Sequence, residues 1–203
     1  MHHARSMSRL WRVSLSMPAN RHLTTSLSHL PLPEPSKRLE FRWWQADDGD
    51  RAFALWGDAE VNTWLGAMNG ADRKATDARL LMEMQCTFTD HAQYWPCFTH
   101  DDGGHVGAVG LRRKGERCWE LGVHLRREYW GRGLASEAAA AVANFGFDAL
   151  EAESLFGGHH PDNAGSARML TGLGFTYTHD GLFDGLPDRC YTLTREMWNA
   201  RSK

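Results

Sequence analysis

The chain has 203 residues, 42% hydrophobic and 24% charged, which suits one domain with a full core. A formal net charge of -2 supplies no basic field for nucleic acid, and no apolar run approaches the roughly 20 residues of a membrane helix. Cys86, Cys97, Cys118 and Cys190 stand apart, without zinc-knuckle or redox-dithiol spacing, and read as reduced residues of a cytoplasmic protein.

In chain order, the first acidic residue is Glu34. Before it lie Arg5, Arg9, Arg12, Arg21, several serines and four histidines. Such a leader resembles a transit peptide, but a true start at Met7 or Met17, or a disordered arm, accounts for it more simply, because short stretches of this composition occur by chance. Pro31, Pro33 and Pro35 form a stiff linker, so residues 1–37 read as leader and 38–203 as the folded domain.

Leu39 to Trp44 predicts a strand. Asp47 or Asp48 then caps a helix carrying Phe53, Leu55 and Trp56. A second short helix is expected over Ala59 to Leu65, broken at Met68-Asn69-Gly70. Asp77 to Thr89 predicts a helix with Leu80, Leu81, Met84 and Phe88 on one stripe. Three strands follow, Tyr94 to Thr99, Val106 to Arg112 and Cys118 to Leu125, joined by Asp102-Gly103-Gly104 and Lys114-Gly115-Glu116 as hairpin turns. Leu134 to about Ala149 is a helix with Leu134, Ala138, Ala141, Val142 and Phe145 inward. Ser154 to Gly158 is a strand, Ala164 to Leu173 a helix closed by Gly174, and Phe175 to Phe183 and Arg189 to Thr194 the last strands, around an Asp184 to Asp188 loop. The fold class is α/β: one mixed sheet, an antiparallel meander and then a strand-helix-strand unit, with helices on its faces.

Three segments carry chemistry. Gly131 and Gly133 sit between a strand and a helix, where backbone amides and the helix N-terminus suit a pyrophosphate. A lone Gly-x-Gly suits an ordinary turn equally, and neither the Walker nor the dinucleotide pattern is present. Glu120 stands inside an apolar strand, either as a general base or as a solvent-facing residue. Asn163 reads as an N-cap, and its amide also suits an amide-rich ligand arm. His124, His159 and His160 lack a third partner at metal-ligand spacing and read as loop and cleft residues, with no metal implied.

The ordered set Glu120 to Leu125, Tyr129-Trp130-Gly131-Arg132-Gly133-Leu134-Ala135-Ser136-Glu137-Ala138, and Asn163-x-x-Ser166 through Gly174-Phe175 resembles the GNAT superfamily of N-acetyltransferases. Within it the likeness is greatest to the branch that acetylates the N-termini of ribosomal proteins. The resemblance covers roughly Leu39 to Trp198 and implies a single domain whose strand ending near Leu125 splays from the strand at Ser154 to Gly158. It implies acetyl-CoA as co-substrate and an amine acceptor, which is a protein N-terminus or a small molecule, and leaves a homodimer open. It also implies residue roles. Gly131, Arg132, Gly133, Leu134, Ala135 and Ser136 would bind the pyrophosphate. Val123, His124 and Leu125 would pair with the pantetheine arm through their backbone, and Asn163 would hold that arm from the other side. Glu120 would be the general base, and a backbone N–H near Val123 the oxyanion donor. Many members carry a tyrosine where this chain has Leu170, so Ser166 is the implied donor to the leaving thiolate. Trp130 stands where many relatives have Gln or Arg. A non-catalytic acyl-CoA sensor on the same scaffold is the remaining reading.

Overall fold

The computed structural model describes residues 30–66 and 70–201. Seven strands form one mixed sheet in the order β1-β2-β3-β4-β5-β7-β6: β1 Leu39–Phe41, β2 Tyr94–Thr99, β3 His105–Arg113, β4 Cys118–Leu125, β5 Ser154–His159, β6 Thr176–Phe183 and β7 Leu186–Thr194. All neighbours are antiparallel except β4 and β5. The helices are α1 Gly49–Trp56, α2 Arg73–Asp90, α3 Leu134–Asp148, α4 Ala164–Gly172 and α5 Arg195–Ala200.

The sheet separates two apolar clusters. On one face Trp95, Leu111, Trp119, Leu121 and Leu155 pack against Ala138, Val142 and Phe145 of α3 and Leu170 of α4. On the other, Trp44, Leu55, Trp56 and Leu80 pack on Tyr94 and Ala108 beneath α1 and α2. The packed chain reaches back into the proline stretch: Leu32 touches the larger cluster, and Ser36 Oγ donates to Glu137 at 2.7 Å. The expected leader lies outside the described residues up to position 29.

Several expectations need correction. Residues 59–65 form hydrogen-bonded turns rather than a helix, with Asp58 Oδ1 accepting from Glu60 N. The break at Met68-Asn69-Gly70 lies outside the described residues except for Gly70. Helix α2 starts four residues before Asp77, because Asp72 accepts from Ala75 N and caps it there. Its buried face is Thr76, Leu80, Glu83 and Thr87, while Leu81 and Phe88 face solvent. The Asp184 to Asp188 loop is a turn at Asp184-Gly185, with β7 already running from Leu186. The short helix α5 follows directly on β7, capped by Thr194 accepting from Met197 N.

Candidate active site

Strands β4 and β5 pair only at Cys118↔Ser154, Trp119↔Leu155 and Glu120↔Phe156. Beyond Glu120 they part, while β5 continues beside β7 to His159. Glu120 therefore sits at the fork of the sheet, and β4 from Leu121 onward has no strand partner on that edge. Two cavities meet in the gap, of about 680 Å³ and about 170 Å³. Val61, Trp64, Val123, His124, Asn163, Ser166 and Met169 border both.

The larger cavity lies toward the glycine turn. Val123, His124, Leu125, Gly131, Gly133, Leu134, Ala135, Ser136 and Asn163 all border it. Gly131 and Gly133 take φ of 72° and 74°, the left-handed region that glycine enters without a Cβ clash. This bends the chain so that α3 begins at Leu134 without any side-chain cap, leaving its first amides toward the cavity. Arg38 braces the turn, bonding Glu137 Oε2 through Nε at 2.6 Å and the Arg132 carbonyl at 3.0 Å. Arg132 itself does not border the cavity; its guanidinium lies 5.5 Å from the Tyr129 ring centroid. Trp130, half exposed, donates its indole N–H to the Leu125 carbonyl at 2.7 Å and ties the turn to the end of β4.

Across the gap, Asn163 caps α4: its Oδ1 accepts from Ser166 N at 3.1 Å, which leaves its Nδ2 donors for another group. Ser166 stands in the first turn of α4 at the junction of the cavities. Leu170 is buried beneath Gly157, so no hydroxyl comes from that position.

The smaller cavity holds Glu120, ion-paired with Lys114 Nζ at 2.9 Å. On β4 the alternate residues Glu120, Gly122 and His124 share one face. A Cβ at Gly122 would collide with the Tyr94 hydroxyl, so the glycine lets Tyr94 lie across the sheet to β4. His124 accepts from Trp56 Nε1 at 3.1 Å, and burial pushes its pKa down to about 3, so the ring stays neutral. Asp188 lies over Gly158, where any side chain would meet its carboxylate. Burial pushes the Asp188 pKa up, opposed by the Cys190 thiol and aided by the charge of Glu120. His159 is buried against the Tyr191 hydroxyl, and His160 stacks on Trp64 at 4.3 Å, joining the 58–66 turns to the end of β5. Among the described residues no group of three His, Cys, Asp or Glu is arranged to hold a metal ion, and no helix is long and apolar enough to cross a membrane.

Sequence reasoning missed the ion cluster behind this cavity. Glu83 is fully buried on α2. Its Oε1 accepts from Arg79 Nε at 2.7 Å, its Oε2 from Tyr94 N at 2.9 Å, and Arg112 closes on it as an ion pair. Burial raises the carboxyl pKa, but Arg112, Arg79 and the Tyr94 N–H outweigh it and hold the group below the usual glutamate value. The available signal was the four-residue Arg79–Glu83 spacing, with Glu83 in phase with Thr76, Leu80 and Thr87 on α2.

Comparison with known proteins agrees with this architecture. A family model described as an acetyltransferase (GNAT) domain matches residues 38–176. The N-acetyltransferase p20 of Bacillus licheniformis is 24% identical over 143 residues, covering 69% of this chain and 80% of its own. The acetyltransferase (GNAT family) from Bacillus anthracis superposes with a TM-score of 0.71 at 20% identity, over 79% of this chain and 97% of that one. The ribosomal L7/L12 α-N-protein acetyltransferase RimL, solved in complex with coenzyme A, gives 0.70 at 14% identity, over 80% and 97%. The ribosomal-protein-S5-alanine acetyltransferase from Vibrio fischeri gives 0.65 at 18%, over 83% and 99%.

Proposed function

Because the chain belongs to the GNAT acetyltransferase family, we propose that it moves an acetyl group from acetyl-CoA to a primary amine by direct attack in a ternary complex. The observation that carries this reading is the position of Glu120: the last residue of β4 paired with β5 borders the small cavity, while the edge left open beyond it leads into the large one.

On this reading the amides at the start of α3 take the pyrophosphate of the co-substrate, with Gly131 and Gly133 allowing close approach. Arg132 contributes its backbone rather than its side chain, since its guanidinium is turned to Tyr129. The unpaired edge of Val123, His124 and Leu125 takes the pantetheine arm as an added strand, and Asn163 Nδ2 faces it from α4. Trp130 already occupies one lone-pair direction of the Leu125 carbonyl, so Val123 and His124 supply most of that pairing.

An amine is mostly protonated at neutral pH and must lose a proton before it attacks a thioester. Glu120 accepts that proton, directly or through a water, after the incoming ammonium displaces Lys114. The N–H near Val123 steadies the oxyanion, and Ser166 Oγ, at the meeting of the cavities, donates to the leaving thiolate. Two acceptor classes share this chemistry. RimL is named as an α-N-protein acetyltransferase and the Vibrio fischeri protein for an alanine of ribosomal protein S5. A volume of about 170 Å³, below the roughly 300–1,000 Å³ of pockets for drug-sized ligands, favours a small amine.

The test is CoA release from acetyl-CoA with a panel of peptides and small amines. Turnover is expected to fall about 100- to 10,000-fold in Glu120→Gln with CoA affinity intact. Absence of CoA binding would overturn the reading, and CoA binding without turnover on every acceptor would favour the sensor.

A further inference from the structure

Behind the acceptor cavity one carboxylate serves two guanidinium groups. Glu83 holds both Arg79 and Arg112, so the buried cluster carries one positive charge in excess. Glu120 does not neutralise it, because Glu120 is paired with Lys114. The two arginines differ in placement. Arg112 lies over the Tyr94 ring at 4.7 Å and does not border the cavity. Arg79 does border it, with a side chain only 9% exposed.

Arg79 spends only its Nε on Glu83. Its guanidinium is packed by Trp56 and Tyr94, at 5.1 Å and 5.2 Å from the ring centroids. Among the described residues its two Nη groups have no hydrogen-bond partner. A buried arginine with a free fork, fixed by one carboxylate and two aromatic rings, is a prepared site for a planar anion. Arg112 has both Nη groups sealed from solvent, whereas those of Arg79 keep some exposure and Arg79 borders the cavity, where an entering group can bond them. The same cavity presents Glu120 and Asp188, which suit a cationic amine. Tyr94 spans the two ends: its ring touches Arg79, and its hydroxyl lies over Gly122, two residues from Glu120.

We infer that Arg79 is an anion subsite of the acceptor cavity, and that the preferred acceptor is a small primary amine that also carries a carboxylate, as an amino acid does. The carboxylate bonds the Arg79 fork while the amine faces Glu120. A peptide N-terminus has a neutral carbonyl where this acceptor has its charge and leaves the fork half used.

The inference takes its amine end from the acetyl-transfer reading, so its test has two arms. The first measures kcat/KM on matched sets of α-amino acids, their amides, their decarboxylated amines and short peptides. The second measures binding of the same compounds to the protein by ligand-observed NMR, with and without CoA, and needs no turnover. The wild-type protein is expected to favour the acid over its amide by roughly 10- to 100-fold. In Arg79→Gln that ratio should collapse to near one, and Arg79→Lys should recover part of it. A ratio between two substrates on one protein is insensitive to partial loss of fold, and Glu83 keeps Arg112 and the Tyr94 N–H in the variant. Preference for amides, amines or peptides in the wild type would overturn the inference, as would an equal loss for all compounds in Arg79→Gln. Arg79-dependent binding of acids without turnover would uphold the subsite while counting against acetyl transfer.

Discussion

Removing the Glu83 carboxylate should be among the most damaging single changes in this protein. Glu83→Gln leaves Arg79 and Arg112 facing each other across a neutral amide in a largely buried site, with Glu83 fully buried and the two arginine side chains 9% and 21% exposed. Breaking a buried ion pair by removing one partner costs about 3–5 kcal/mol. For a chain of this size each kcal/mol moves the melting temperature by roughly 2–4 °C, so a fall of about 6–20 °C is expected at pH 7. The sign of the pH dependence is set by the lowered Glu83 pKa. A depressed carboxylate contributes stability that is fully present above the unfolded value, about 4.3, and is lost as pH falls through the folded value. The gap between wild type and variant should thus be constant from pH 7 to about 5 and narrow below about 4.3. Differential scanning calorimetry of both proteins from pH 7 to pH 3 measures it. A double-mutant cycle with Arg112→Gln separates the pair from other losses. A drop below about 2 °C at pH 7, or a gap that widens in acid, would refute the argument that two desolvated cations depend on this one anion.

His105 is buried against Trp44 and Phe98 with neither ring nitrogen hydrogen-bonded among the described residues, and burial pushes its pKa down to about 4. A histidine held neutral contributes stability above its unfolded pKa of about 6.5 and loses it as pH falls toward 4. Thermal melts should therefore show His105→Phe neutral or stabilising at pH 7, with an advantage that grows toward pH 4. Gly133→Val puts a β-branched residue at φ 74°, where nothing but Arg38 is near, so it should weaken CoA binding at least about tenfold by calorimetry through strain in the turn. Asp188→Asn should raise KM for a cationic acceptor about tenfold while leaving CoA affinity unchanged, measured by initial rates and by titration. Unchanged KM would remove Asp188 from the acceptor site.

Much of this architecture was legible in the residues because it is local. The short apolar run Tyr94 to Thr99, the inward Trp119 and Leu121 of Cys118 to Leu125, and the 3.6-residue stripe from Leu134 to Phe145 depend on neighbours a few positions away, and β2, β4 and α3 match those readings closely. The turn at Gly131 and Gly133 was visible because only glycine enters the left-handed region freely. Elements stabilised by something other than an apolar stripe were misjudged. The start of α2 depends on the Asp72 cap, its buried face on an ion cluster, and the first residues of β7 on pairing with β6. The implied site residues were named from ordered motifs, but their meeting was decided by tertiary structure. Where β4 leaves β5 is a property of two strands 36 positions apart in register, Cys118↔Ser154, and it alone puts Glu120 at the fork. The Arg79–Glu83–Arg112 cluster joins a helix to a strand beyond the reach of any local pattern, because its energy comes from shared desolvation rather than from spacing along the chain. The sequence by itself determined most of the elements and the glycine turn before α3. Which charges line the smaller cavity was decided only when α2 and the sheet closed over them.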